Sequence, residues 1–200
     1  MHYKTAWEDP ATRQAWRRTA MFRCGAVLGW ILGFFAWLFA VVMTPVWLVW
    51  VLWMPMLCVG IWYALLAVIS AASLTGTRRV LRVYPWQVGI TEVRSKKNGG
   101  TQFLVPNPER PEKTVGLGYG GAIGTGRHFW VRAVKSGQVT TVWFAGDPRY
   151  LGVMATPGPR NLLQVAQREA MDSRMSPRKR GVSPEARALA RAAGARVGED

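Results

Sequence analysis

Residues 24–77 read CGAVLGWILGFFAWLFAVVMTPVWLVWVLWMPMLCVGIWYALLAVISAASLTGT. This stretch contains no Asp, Glu, Lys or Arg, although the 200-residue chain carries a formal net charge of +15. It is too long and too apolar for the core of a small domain, and the rest of the chain has room for one domain of roughly 100 residues. The sequence therefore predicts two membrane-spanning helices joined by a tight turn.

The first span is predicted at 24–43, because twenty residues rising 1.5 Å each cover about 30 Å, the hydrocarbon thickness of a bilayer. Thr44-Pro45 marks the turn, and the second span is predicted at 46–74. A cleaved secretory signal is rejected because a second apolar run follows almost at once. Residues 1–23 are predicted to form a cytoplasmic helix that leads into the first span, with Asp9 as its cap and Pro10 in its first turn.

Basic residues set the predicted orientation. Those next to the spans are Arg17, Arg18 and Arg23 before the first, and Arg78, Arg79 and Arg82 after the second. The turn between the spans carries no charge, and positive residues stay on the cytoplasmic side. The sequence therefore predicts a two-pass protein of the inner (plasma) membrane with both termini in the cytoplasm.

A stripe of glycines marks one face of the first span. Gly25, Gly29 and Gly33 recur every four residues, which lets another helix approach closely. One partner is the chain's own second span, where Gly60, Ala64, Ala67 and Ala71 form a matching small stripe. The other is a second copy of the chain, which makes a homo-oligomer possible.

The region 78–172 has the pattern of a β-rich cytoplasmic domain. Strands are predicted at 78–84, 88–95, 101–105, 113–117, 129–134, 139–145 and, as an edge strand, 151–155, followed by an amphipathic helix at 161–171. Asn98-Gly99 indicates a hairpin, and residues 135–138 a second one. A sheet of this size closes or is covered to protect its edges, so the expected fold class is α+β: a transmembrane helical hairpin, then a small antiparallel β-barrel-like domain with a C-terminal helix. The basic tail at 173–200 is predicted to be disordered, although Ser183 and Gly194 could bound a short helix.

This architecture resembles bacterial membrane proteins with a pleckstrin-homology-like (PH-like) cytoplasmic domain beside paired transmembrane helices. The segments Val83-Tyr84-Pro85-Trp86 and Trp143-Phe144-Ala145-Gly146-Asp147-Pro148 are similar to those of uncharacterised two-span actinobacterial integral membrane proteins. The resemblance covers about residues 24–172. It implies a fold and a scaffold role and assigns no active site.

Motifs for catalysis or cofactor binding fail on their context. Residues 116–121 match the spacing G-x-G-x-x-G, but no helix is predicted directly after them to meet a phosphate. The two histidines, His2 and His128, have no partners at metal-ligand spacing, and Cys24 and Cys58 lie in the membrane segment, too far apart for a disulfide. We therefore expect no enzyme activity, no metal and no cofactor.

The basic surface is the remaining candidate site. The residues expected to meet anionic lipid headgroups or a partner are Arg78, Arg79, Arg82, Lys96, Lys97 and Arg127. The expected function is a non-enzymatic membrane anchor that presents a basic β domain at the cytoplasmic leaflet, as a scaffold or accessory subunit for an unknown protein partner. The alternative is a nucleic-acid-binding accessory component of a transport or conjugation apparatus, which the charge alone allows.

Overall fold

A computed structural model describes residues 5–44, 53–90, 93–95, 101–107, 110–119, 129–130, 132–133, 136, 141–167, 182–195 and 197. Its helices are a short 3-10 helix (Ala6–Glu8), α1 (Pro10–Val42), α2 (Met54–Val83) and α3 (Pro184–Ala192). Its strands are β1 (Gln87–Ile90), β2 (Val93–Ser95), β3 (Thr101–Asn107), β4 (Arg110–Tyr119), β5 (Val142–Asp147), β6 (Leu151–Thr156) and β7 (Arg160–Ala166).

The helices α1 and α2 pack side by side, and both are long and apolar enough to cross a membrane. The start of α1 agrees with the prediction, since the Asp9 carboxylate accepts a hydrogen bond from the Ala11 N–H (3.0 Å) and Pro10 is the first helical residue. The most apolar stretch of α1 is not buried at all within the protein, and that of α2 hardly is. These helices therefore differ from the core helices of a soluble domain. The predicted turn at Pro45 lies outside the described residues.

The helix α2 continues to Val83, so the predicted strand at 78–84 is wrong. Leu74, Thr77, Leu81 and Tyr84 are all buried and recur at helical spacing on one face of α2. Packing of that face against the β-rich domain favours a helix over the strand that the short β-branched run suggests. The second long helix therefore enters the domain without a linker.

The β-rich domain is an antiparallel sheet with the strand order β1-β5-β6-β7-β4-β3-β2. The sheet curls, because β1 at one edge contacts β3 next to the other edge. The predicted hairpin is confirmed by the pairing of β2 with β3, and its turn at 96–100 lies outside the described residues. The predicted edge strand at 151–155 is wrong in its position, because β6 pairs with both β5 and β7.

Two further segments differ from the prediction. Residues Arg160–Ala166 form β7 and not the start of a helix, because Leu162 packs on one face of the sheet while Leu163 and Val165 pack on the other. A strand that is buried on both faces shows no alternation and is easily mistaken for a helix. The described positions in 129–134 are helical rather than extended, and Trp130 is buried among the strands.

The two faces of the sheet are covered by different parts of the chain. The inner face encloses an apolar core of Phe103, Val105, Leu117, Trp130, Val142, Phe144, Met154, Leu163 and Val165. The outer face presents the small side chains Ala145, Val153 and Ala155, against which Val80 and Leu81 of α2 pack. Because these outer side chains are small, α2 approaches the sheet closely and joins it to the helices as one body.

The prediction of a disordered tail is wrong for α3. The Ser183 hydroxyl accepts a hydrogen bond from the Ala186 N–H (3.3 Å), and Gly194 ends the helix at φ +90°. Val182 and Ala190 pack against Tyr150 in the turn between β5 and β6. These contacts stabilise a short helix that would be marginal by itself.

Candidate functional site

The candidate site lies where the exposed apolar part of the two helices ends and the packing against the sheet begins. Met21 and Phe22 of α1 and Ile69 of α2 are the last large apolar side chains that are exposed on each helix before this level. Arg23 is adjacent to Phe22 on α1, Leu74 follows Ile69 on α2, and closer to the domain both helices carry buried residues. We call this level the junction.

Two arginines and two tryptophans form a cluster at the junction. The guanidinium carbon of Arg78 lies 5.3 Å from the ring centroid of Trp7 and 5.5 Å from that of Trp16. The guanidinium carbon of Arg82 lies 5.7 Å from the Trp7 ring centroid, and the two indoles meet edge to face at 5.5 Å. Each such cation–π contact stabilises by about 0.5 to 2 kcal/mol. We call these four residues the Arg–Trp cluster.

Hydrogen bonds fix the segment that carries Trp7. The Ala6 N–H donates to the Tyr84 carbonyl oxygen at the end of α2 (2.8 Å), and the Trp16 indole N–H donates to the Leu74 carbonyl oxygen (3.3 Å). The Trp86 indole N–H donates to the buried Thr12 hydroxyl (2.9 Å). The residues before α1 therefore form a strap across the end of α2.

The structure separates the residues that the sequence predicted as one lipid-contact set. Arg78 and Arg82 lie in the Arg–Trp cluster, one turn apart on α2. Arg79 is exposed and lies beside the C-terminal end of α3, where a Cβ built on Gly194 would be 3.6 Å from Arg79 Nη1. A cation at that end of a helix interacts favourably with the helix dipole. Lys96, Lys97 and Arg127 lie outside the described residues.

Arg23 bridges the two long helices. Its Nη1 donates to the Ser70 carbonyl oxygen (2.9 Å) and to the Ser73 hydroxyl (2.7 Å). Both partners are neutral, and within the described part of the chain no carboxylate pairs with this guanidinium. Arg23 thus places an uncompensated positive charge between the helices at the junction.

The glycine stripe of α1 makes no close contact with α2, although Gly33 lines the cleft between the two helices. A Cβ built on Gly25, Gly29 or Gly33 would meet no atom within 4 Å, whereas one on Gly60 would lie 3.9 Å from the Trp30 ring. The packing therefore does not support the stripe as a contact with the chain's own second helix, and its use in a homo-oligomer stays a prediction.

An apolar cleft separates α1 and α2 on the side away from the domain. Its volume is about 570 Å³, and its walls include Val27, Trp30, Phe34, Gly60, Ala64 and Val68. The rings of Trp30 and Tyr63 stack with centroids 5.9 Å apart. The helices therefore contact each other at the junction and again at Trp30 and Tyr63, and the cleft lies between them beside these contacts.

A buried ion pair lies in the β-rich domain, at the turn between β5 and β6. The Arg149 guanidinium donates to both oxygens of Asp147 through Nε (2.9 and 3.3 Å) and Nη2 (2.8 Å). The Tyr84 hydroxyl is buried and has no hydrogen-bond partner among the described residues. Burial raises the pKa of Tyr84, and the nearby Asp147 carboxylate raises it further. The phenol therefore stays neutral and contributes no charge.

Comparison with protein families, with curated proteins and with solved structures gives no match to this chain. The candidate site therefore depends on its own geometry. Sequence reasoning missed the role of Trp7 and the partners of Arg23. The sequence did contain an indication for Trp7. This residue precedes the Asp9-Pro10 helix start by two positions and must therefore lie near the N-terminal end of α1. Nothing in the sequence pointed from Arg23 to Ser70.

Proposed function

We propose that this chain is a two-pass integral membrane protein that holds a basic β domain at the cytoplasmic leaflet as a scaffold for another membrane component. The observation that carries the proposal is the continuity of α2. One helix presents exposed apolar side chains over Met54–Ile69 and buries its other end in the sheet packing. A soluble protein rarely exposes so large an apolar surface, and a bilayer covers it at no cost.

The dimensions of the apolar surface support insertion. Beyond Arg23, the uncharged part of α1 extends from Cys24 to Val42, a rise of about 27 Å that is close to a hydrocarbon core of about 30 Å. Arginines lie at the junction end of both helices, and by the positive-inside tendency that end faces the cytoplasm. The β domain follows the junction directly and shares its side of the membrane.

The attachment of the domain supports the scaffold role. The Arg–Trp cluster, the strap and the packing of Leu81 under Ala145 and Val153 leave no flexible segment between α2 and the sheet. The domain is thereby held at a fixed height and orientation relative to the bilayer. A protein that only needed a tether would be served equally well by a flexible linker.

The strand order supports the PH-like form of the domain. Strands β5, β6 and β7 lie between β1 and β4 in the sheet. At one side of this group β5 pairs with β1, and at the other side β7 pairs with β4. Pairing of β1 with β2, which are adjacent in the chain, would close this order into a seven-stranded barrel. Such a barrel beside a basic junction is suited to lipid headgroups or to an acidic partner protein.

Insertion and orientation are tested with thiol labelling of the full-length protein in native membranes. Cys58 is free and exposed on the apolar part of α2, well away from the junction, so an impermeant maleimide should not label it until detergent is added. In a background with Cys24 and Cys58 replaced by alanine, Ser136→Cys on the domain should be labelled in inside-out vesicles and not in intact cells. Labelling of Cys58 in intact membranes, or of Ser136→Cys from outside, contradicts the proposal.

The scaffold role is tested by crosslinking in native membranes, which should capture another membrane protein through the domain. The nucleic-acid alternative is tested with the same full-length protein in lipid nanodiscs. Binding of duplex DNA that weakens steeply as salt rises would favour that alternative. Binding to anionic but not zwitterionic lipid, without DNA binding, favours the proposed role.

A further inference from the structure

We infer that the cleft between α1 and α2 binds one acyl chain of an anionic phospholipid, whose phosphate is held by Arg23. The inference rests on the proposed membrane insertion. It adds a specific lipid site to a helix pair that the proposed function treats only as an anchor.

The position of the cleft matches one leaflet. Its walls on α1 extend from Val27 to Trp37, a rise of about 15 Å, which is half of a hydrocarbon core of about 30 Å. Arg23 lies one helical turn before Val27, on the same face of α1, at the level where headgroups begin. A lipid of the cytoplasmic leaflet therefore has its phosphate at Arg23 and its chain alongside the cleft.

The shape of the cleft suits a hydrocarbon chain. It is an open apolar gap of about 570 Å³ that extends over about 15 Å of α1. A flexible acyl chain can follow such a gap and bring its phosphate to Arg23, whereas an apolar helix carries no anion to place beside that guanidinium.

The walls are apolar and open to the surrounding lipid. Phe34 and Ile61 are about half exposed, at 46% and 50%, so the cleft opens sideways between the helices. An open apolar gap at this depth is filled by hydrocarbon, because water finds too few polar partners there.

The chemistry of Arg23 selects the headgroup. Its Nη1 is used by the Ser70 carbonyl and the Ser73 hydroxyl, which hold the guanidinium in place. Within the described residues its Nε and Nη2 make no hydrogen bond to the protein, and no carboxylate neutralises it. A guanidinium with free donors in a planar fork binds phosphate in a bidentate manner. An anionic lipid is preferred over a zwitterionic one because the latter brings a positive charge close to the arginine.

The test is native mass spectrometry of the full-length protein, purified in a mild detergent and titrated separately with phosphatidylglycerol and phosphatidylcholine. We expect one tightly bound phosphatidylglycerol per chain and at least about tenfold weaker retention after Arg23→Gln, since a charge-assisted hydrogen bond is lost. Arg18→Gln is the matched control, because it removes the same charge from an exposed position of the same helix away from the cleft.

A second variant tests the acyl chain without touching the headgroup. Ala64→Phe fills the cleft wall and should reduce phosphatidylglycerol retention to a similar degree, while circular dichroism verifies that the helices stay folded. Equal retention by wild type and Arg23→Gln, equal binding of both lipids, or a dimer that excludes lipid from the cleft would overturn the inference. Protection of Cys58 from maleimide in membranes does not depend on lipid binding in the cleft. Failure of the lipid site would therefore leave the proposed membrane insertion intact.

Discussion

The two ends of α2 are built from similar apolar residues but are covered in opposite ways. Between Met54 and Ile69 the large side chains point outward, and Leu65 is 53% exposed. Between Leu74 and Tyr84 one face is covered by the sheet, and Leu81 is fully buried. The difference shows that hydrophobicity alone does not say whether lipid or protein covers a helix. Two features mark the point along α2 where protein begins to cover it. One is the set of small side chains on the outer face of the sheet, and the other is the first arginines of the helix, Arg78 and Arg79.

The largest effect is expected at the ion pair of Asp147 and Arg149, because the domain buries both of its charges. Asp147→Ala removes the carboxylate to which the Arg149 guanidinium donates, and the Arg149 side chain is only 3% exposed. We expect a loss of about 3 to 5 kcal/mol in stability. Thermal unfolding of the full-length protein in detergent measures it. Replacing both residues with apolar ones (Asp147→Leu with Arg149→Met) should recover most of the loss, and no recovery would contradict this explanation.

Next in size is a direct comparison of the two ends of α2. Leu81→Ala should cost about 2 to 5 kcal/mol, because it leaves a cavity against Ala145 and Val153. Leu65→Ala, the same change on the same helix, should change stability by less than about 0.5 kcal/mol because detergent or lipid fills the space. Equal losses in a denaturation series would mean that the exposed end of α2 is also covered by protein.

A smaller effect is expected at the Arg–Trp cluster. Arg78→Ala removes the contacts with both indoles and should cost about 0.5 to 2 kcal/mol. It should also loosen the strap, so that limited proteolysis cuts before Pro10 more readily. Arg17→Ala, at an exposed position of α1, is the matched control and should leave the protease pattern as in wild type.

The smallest effect is expected at Tyr84. Its buried hydroxyl has no hydrogen-bond partner within the described part of the chain, so Tyr84→Phe should change stability at pH 7 by less than about 0.5 kcal/mol. An unfolded tyrosine ionises near pH 10, whereas the pKa of Tyr84 is raised above that by burial. The unfolded state therefore loses its proton first, and wild-type stability is unaffected below about pH 10 and falls above it. Unfolding curves from pH 8 to 11 should show a shallower decline for Tyr84→Phe.

Strong local signals made part of this fold predictable. The uncharged run at 24–77, the Asp9-Pro10 helix start and the hairpin between β2 and β3 each depend on residues close together in the chain. Where an element depends on distant packing, the sequence misled. The tail helix α3 has correct start and stop residues, yet its stability comes from Tyr150, more than thirty residues away.

The candidate site was predictable only in its charge. The arginines after the second span are predicted to lie next to a membrane, but the strand prediction for 78–84 hid the fact that Arg78 and Arg82 lie one helical turn apart. That spacing is what lets both reach Trp7. The pairing of Arg23 with Ser70 and Ser73 depends on the register of two helices, which no local pattern contains.

The absence of a hinge in α2 makes this helix a lever. From Tyr63, midway along the exposed part, to Tyr84 the helix rises about 31 Å. A change in tilt of about 10°, well within the range that helices use to match bilayer thickness, swings the far end by about 5 Å. With α2 inserted as proposed, a local thinning of the bilayer would be converted into a sideways displacement of the sheet, in a direction set by the rotation of the helix about its own axis.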